Sequence, residues 1–400
     1  LANAERIKAF ATVLKNEQKV PKNSSFCKCE KQSMSVETNE VMKVKKQEAN
    51  VFAMMEPMEH EQVMFFSDKP TGLKGIIAVH NTVLGPSLGG CRIWNYENES
   101  DALWDVLRLS RGMTFKSSIS GINLGGGKAV VIGNPKLKRD EAFWRRFGQF
   151  VESLNGKYIT AEDVGTSTDV MSIVMQETRH VTGKPISAGG TGDPSPVTAY
   201  GVFLGLKATV KEATGSDSLQ GKRVAVQGVG HVGYTLVKHL TEAGATVFVC
   251  DINQKNLDVV TKDFNVTVVT PNDIYDLDVD IYSPCALGAT LNSDTIPRLK
   301  CSMIAGAANN QLADENVHGH LLMDKGILHA PDFLINAGGV INIYREVQLL
   351  SLEATNELIE NIYPRTLEIF RKSKAEKIPP QEAAMKIAIE RIENEKRKKN

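Results

Sequence analysis

Residues 223–251 read RVAVQGVGHVGYTLVKHLTEAGATVFVCD. An alternating apolar strand runs into Gly228, Gly230 and Gly233 in G-x-G-x-x-G spacing, a helix follows from about residue 231, and a second strand ends at Asp251. The alternation continues through DIYSPCA, SMIAGA and GILHAPDFLI. Strands separated by helices in this way specify a parallel, doubly wound sheet. The glycine triplet alone is a weak signal. Its place between strand and helix is what a pyrophosphate needs, because the glycines give a tight turn and close backbone approach, and the helix N-terminus faces the charge. His231 and Val232 sit inside that turn and join the three glycines as candidate cofactor contacts. Asp251 stands 18 residues beyond Gly233. A carboxylate there accepts hydrogen bonds from ribose hydroxyls and repels a 2′-phosphate, which points to NAD rather than NADP.

A dinucleotide that accepts hydride implies a donor site elsewhere, and the upstream half supplies candidates. GINLGGGKAVVIGNP (121–135) puts three glycines directly before Lys128. It is not a phosphate-binding P-loop, which reads G-x-x-x-x-G-K-[ST]: Ile122 replaces the first glycine and Ala129 the hydroxyl residue. Lys116 ends a helical pattern carrying Leu103, Val106, Leu107 and Met113, with Ser100 or Asp101 as its cap, and Asp163 follows the short strand KYIT. One lysine can anchor a substrate carboxylate as a point charge. A second, close to the first and partly desolvated, would have its pKa lowered toward neutrality and could act as a base. The aspartate can exchange protons with an amine, while the glycines let the chain approach a substrate where a Cβ would intrude.

GGTGDPSPVTAYGV (189–202) marks a boundary, with Ser195 as N-cap and Pro196 at the first helical position. The last residues, ERIENEKRKKN, read as a solvated helix end. With 400 residues, 42% hydrophobic, 24% charged and without net charge, the chain has room for two or three domains and shows no global preference for nucleic acid or membrane. No apolar run approaches the roughly 20 residues that cross a bilayer. Six scattered cysteines and eight histidines form no spaced metal cluster, so no metal is expected. Scattered thiols suit a reducing, cytoplasmic setting. Residues 1–50 form a polar extension expected to be poorly ordered, and organelle targeting by it stays open.

The segments GPSLGG, LSRGMTFK, GINLGGGKAVVIGNP, LNGKYITAEDVGT, GDPSPVTAYGV, VAVQGVGHVG, CALGATLN, IAGAANNQL and APDFLINAGGVIN, spread in one order over about residues 55–395, resemble the leucine dehydrogenases of the glutamate, leucine, phenylalanine and valine dehydrogenase superfamily. The resemblance implies a two-domain α/β enzyme. A mixed-sheet domain (51–190 plus 345–400, whose C-terminal helices return to it) would bind the amino acid and mediate oligomerisation. A Rossmann domain (191–344) would bind NAD, with a closing cleft between the two.

Carried over motif by motif, Lys116 would bind the substrate carboxylate, Lys128 would be the base that activates water, and Asp163 would handle amino-group protons. Gly89, Gly90 and Asn310 would contact substrate, and Leu88, Ala161, Val340 and Ile343 would line the side-chain pocket. Thr198 would hold the carboxamide, with Ala286 and Asn309 beside the cofactor. In glutamate enzymes a lysine lies at the position of Leu88, so an apolar residue there disfavours glutamate. Leucine, then isoleucine and valine, are the expected substrates, giving the 2-oxo acid, ammonia and NADH. Aromatic amino acids (phenylalanine or tryptophan) are the alternative, and a non-catalytic NAD-binding module the remoter one. The resemblance also implies a homo-oligomer, octamer or dimer. Cys91, where threonine is common, and Arg345 depart from the family pattern without removing a catalytic group.

Overall fold

Two sheets follow from the two kinds of strand pattern in the computed structural model, which describes residues 51–399. The expectations for residues 1–50 lie outside the described residues. The first sheet contains β1 (Gln62–Asp68), β2 (Leu73–Asn81), β3 (Ser87–Trp94), β4 (Gly125–Ile132) and β5 (Tyr158–Glu162) in the order β1-β2-β4-β3-β5. It is mixed: β2 is antiparallel to β1 and β4, while β3 runs parallel to β4 and β5. The second contains β6 (Arg223–Gln227), β7 (Thr246–Cys250), β8 (Val266–Val268), β9 (Ile281–Pro284), β10 (Met303–Ile304) and β11 (Leu328–His329) in the order β11-β10-β9-β6-β7-β8. All its pairings are parallel. The chain winds outward from β6 first one way and then the other, so β6 ends at the switch point where doubly wound sheets receive ligands.

The three glycines before Lys128 belong to β4 itself. They are needed for packing within the protein, where the sequence suggested room for a substrate. A Cβ on Gly126 would run into the backbone and hydroxyl of Thr114, one on Gly125 into the carbonyl of Asn81, and one on Gly127 would lie 2.7 Å from the Tyr158 ring. Helix Glu99–Ile119 therefore lies directly on β4. Its N-cap is Asn98, whose side chain accepts the Asp101 N–H at 2.9 Å. Ser100 and Asp101, expected as caps, fall inside the first turn, where Glu99 and Asp101 complement the helix dipole.

The boundary helix shows a smaller shift, of one residue. Asp193 accepts the Ser195 N–H at 2.9 Å, so helix Ser195–Thr214 starts with Ser195 already helical and Pro194 at the cap position.

The C-terminal helix Pro380–Lys399 returns to pack on helix Glu99–Ile119. Arg391, within the charged end read as solvated, donates to the carbonyls of Ser118 (3.0 Å), Gly121 (3.2 Å) and Ile122 (2.9 Å) and to Asn123 Oδ1 (2.7 Å). A guanidinium thus closes the negative end of helix Glu99–Ile119. One apolar core runs from Leu88, Phe115 and Ile159 through Val202 and Leu206 to Val224 and Val249, joining both sheets.

Candidate active site

Side chains alternate along β4, so Lys128 shares a face with Gly126. The helix that Gly126 admits carries Lys116 two residues after Thr114, and both lysines come to the same region. Lys128 is buried and its Nζ contacts Asp163 Oδ2, just past the end of β5. Burial opposes charge on Asp163, but Lys128 and Arg92 together hold its carboxyl below the usual carboxylate range. Arg92 Nε lies 3.6 Å from the same oxygen.

Lys116 is the lysine that burial depresses, to about 8, against the opposing pull of Asp332 and with a push from Lys128. Asp332 comes from the other half of the molecule. It is buried, its carboxyl is pushed up by that burial, and it accepts the N–H groups of Gln311 (3.1 Å) and Phe333 (2.9 Å). Lys116 thus senses Lys128, Asp163 and Asp332 together.

Leu88 and Val340 lie in the continuous core, with Ile343 packed against it. Ala161 is buried on β5 opposite Gly90 of β3. A Cβ on Gly90 would lie 2.8 Å from Asp163 Cβ, so that glycine fixes where Asp163 can stand; a Cβ on Gly89 would strike the Gly127 carbonyl.

At the switch point, Gly228 has φ +97°, and a Cβ there would meet Ala286 Cβ at 2.8 Å. Gly233 packs its Cα against the Gly228 carbonyl, whereas nothing lies within 4 Å of a Cβ built on Gly230. Helix His231–Glu242 starts at that open space without a side-chain cap, leaving its first N–H groups available to an anion. His231 is exposed, 3.9 Å from Asp193, and Val232 is half-buried in the first turn. Asp251 accepts the Val229 N–H at 2.9 Å and the Asn253 N–H at 2.8 Å, which ties the glycine turn to the end of β7. Thr198 donates to the Pro194 carbonyl at 2.9 Å, so its hydroxyl offers a lone pair to an incoming amide N–H. Asn309 and Asn310 are exposed beyond β10. Asn309 Oδ1 accepts from Asn336 at 2.8 Å, and Asn310 is held at φ +52°. A glycine turn packed against Ala286 and an uncapped helix start fit a dinucleotide.

Arg92, Tyr96, Asp105 and Asp332 were not anticipated as site residues. Their only sequence signal is a charge set among apolar neighbours, GGCRIW for Arg92 and APDFLI for Asp332, which demands a partner that the local sequence does not supply.

Comparison with known proteins agrees with this geometry. Residues 60–180 match the family model described as Glu/Leu/Phe/Val dehydrogenase, dimerisation domain. Residues 189–253 and 248–399 match the glutamate/leucine/phenylalanine/valine dehydrogenase model. The chain is 52% identical to leucine dehydrogenase of Thermoactinomyces intermedius over 86% of its own length and 93% of that protein. It is 50% identical to leucine dehydrogenase of Bacillus subtilis (strain 168), over 88% and 96%. The crystal structure of L-tryptophan dehydrogenase from Nostoc punctiforme superposes with a TM-score of 0.77 at 46% identity, covering 86% of this chain and 99% of that one. Dehydrogenases of this family imply a nicotinamide cofactor and a small amino-acid substrate. With its mixed sheet, its doubly wound sheet and the lysine–aspartate cluster between them, this chain belongs to the glutamate/leucine/phenylalanine/valine dehydrogenase family and is an amino-acid dehydrogenase.

Proposed function

We propose that the protein catalyses the reversible, NAD-dependent oxidative deamination of a branched-chain L-amino acid, leucine first and then isoleucine and valine. The carrying observation is the Lys128–Asp163 contact, sensed by Lys116; Leu88, Ala161, Val340 and Ile343 are the side-chain pocket of this reading. Balanced, the amino acid, NAD⁺ and water give the 2-oxo acid, ammonium, NADH and one proton.

Lys116 holds the α-carboxylate, and Asn310 reaches the amine from the facing loop. Asp163 takes a proton from the α-ammonium, leaving the lone pair that drives Cα–H cleavage. When bound at the glycine turn, the nicotinamide supplies the hydride acceptor. The substrate is then an imine. Once Asp163 has passed that proton to solvent, moving a second proton from Lys128 to Asp163 makes a base and an acid at once. Neutral Lys128 takes a proton from water as its oxygen adds to the imine carbon, and protonated Asp163 donates to the departing nitrogen. Residues 51–190 with 345–400 would handle the amino acid and 191–344 the dinucleotide, with water excluded as they close.

NAD is preferred over NADP because the Asp251 carboxylate disfavours a 2′-phosphate. A closed homo-oligomer, octamer or dimer, belongs to the same reading, supported by the dimerisation description of the model matching residues 60–180. So does a cytoplasmic location, which suits the free thiols of Cys91, Cys250, Cys285 and Cys301. An aromatic substrate is the second reading, favoured by the likeness to the tryptophan dehydrogenase structure. A few methylenes of pocket volume change selectivity by only about 1–3 kcal/mol.

The test is NADH formation at alkaline pH with leucine, isoleucine, valine, phenylalanine, tryptophan and glutamate taken separately, the best repeated with NADP. Turnover confined to the branched-chain acids and to NAD is expected. Preference for phenylalanine or tryptophan would overturn the pocket assignment and keep the chemistry. No turnover of any, with NADH still bound, would overturn the catalytic reading.

A further inference from the structure

Asp163 stands at one end of a row of alternating charges that begins on helix Glu99–Ile119. Asp105 of that helix accepts from Arg92 Nη1 at 3.0 Å and from the Tyr96 hydroxyl at 2.7 Å through Oδ2, and from Arg108 at 3.1 Å through Oδ1. With Asp105 fixed from three sides, the Arg92 guanidinium is held so that its Nε faces Asp163 Oδ2 at 3.6 Å, on the oxygen that also contacts Lys128. Burying an arginine on a strand beside Cys91 and Ile93, both in the core, is costly without partners, and here the partners are these two carboxylates.

The two cations on Asp163 differ in kind. Lys128 can give up a proton; a guanidinium does not deprotonate in proteins. We propose that Arg92 is a positioning residue that sets the resting charge of Asp163: a permanent cation, anchored by Asp105, that biases the shared proton toward Lys128 and keeps Asp163 anionic and ready to accept the amine proton. This rests on the role given to Asp163 above.

The other groups sensed by Asp163 fit that assignment. Lys116 faces it from helix Glu99–Ile119. Cys91 of β3, Tyr96 beyond β3 and Tyr158 of β5 are pushed up by burial and remain neutral through the working range. Arg92 is the fixed positive charge among them.

The test is direct titration of the Asp163 carboxyl by carbon NMR in protein labelled at aspartate Cγ, with the resonance assigned through Asp163→Asn. Arg92→Gln is expected to move the Asp163 midpoint upward by about one pH unit or more, and Arg92→Lys to leave it within about half a unit of the wild type. The acid limb of the leucine pH–rate profile should move with it, while NADH affinity stays. Should Arg92→Gln not fold, Arg92→Met, which keeps an apolar stem without charge, takes its place. A midpoint unchanged in the uncharged variant, or moved equally in Arg92→Lys, overturns the assignment. The titration needs no turnover. A shifted midpoint in a protein that deaminates none of the amino acids would uphold Arg92 and refute the function.

Discussion

A carboxylate is drawn to Lys116 only while that amine carries its proton. Burial lowers its pKa to about 8, so protonation is complete near pH 6 and is lost as the pH rises through that value. Isocaproate, which has the carboxylate and branched tail of leucine but no amine, should inhibit competitively with a Ki that is flat below pH 7. Above pH 8 the Ki should climb roughly tenfold per pH unit. A flat Ki up to pH 10 would remove Lys116 as the anchor. Lys128→Ala should abolish turnover while NADH binding, followed by fluorescence, stays near the wild type; equal loss of both would contradict a role confined to proton transfer. The two lysines and Asp163 were legible in the sequence because each sits inside a short motif. Arg92 was not, since the partner that explains it, Asp105, is 13 residues away on a helix, and Asp332 faces Lys116 from the other half of the molecule. Nor could spacing show that burial would depress Lys116. Desolvation depends on what lies over a side chain, and that is settled only once the helix is docked on β4.

Strands and helices were easier to read than the joints between them. The 2-fold and 3.6-fold apolar periods located β6, β7 and helix Glu99–Ile119. Both caps lie before the residues expected, Asn98 rather than Ser100 or Asp101 and Pro194 rather than Ser195. The choice between them depends on the chain's entry angle, a tertiary property. The glycines of β4 were visible as a feature but misread in purpose, because the collisions they avoid come from Thr114, Asn81 and Tyr158. Gly126→Ala should therefore cost about 2–3 kcal/mol in denaturant unfolding, near the upper end for overpacking. It should also reduce turnover by displacing Lys116 from Lys128. Unchanged stability would mean that helix Glu99–Ile119 can lift off β4 freely.

Across the whole molecule, the two sheets share one core and are tied where the chain passes between them. Glu346 accepts from the Thr182 hydroxyl (2.7 Å), the Gly183 N–H (3.1 Å) and both the N–H and hydroxyl of Thr191 (2.8 Å each), fastening the outgoing strand of chain to the returning one. All three tryptophans, Trp94, Trp104 and Trp144, lie in the first half. Their fluorescence reports on the mixed sheet alone, while NADH binding reports on the doubly wound one. In urea the two signals should be lost together in the wild type and separate in Glu346→Ala; wild-type curves that already diverge would show that the halves unfold independently. The return of the last helix also orders events during synthesis. Arg391, which closes the helix bearing Lys116, is joined to the chain 273 residues after Ser118, the carbonyl it caps. At about 5–20 residues per second this is roughly 15–55 s on the ribosome. For that interval the mixed-sheet half of each newborn chain lacks the helix that completes it, and its apolar seat for Ile387 and Ile392 stands open to chaperones.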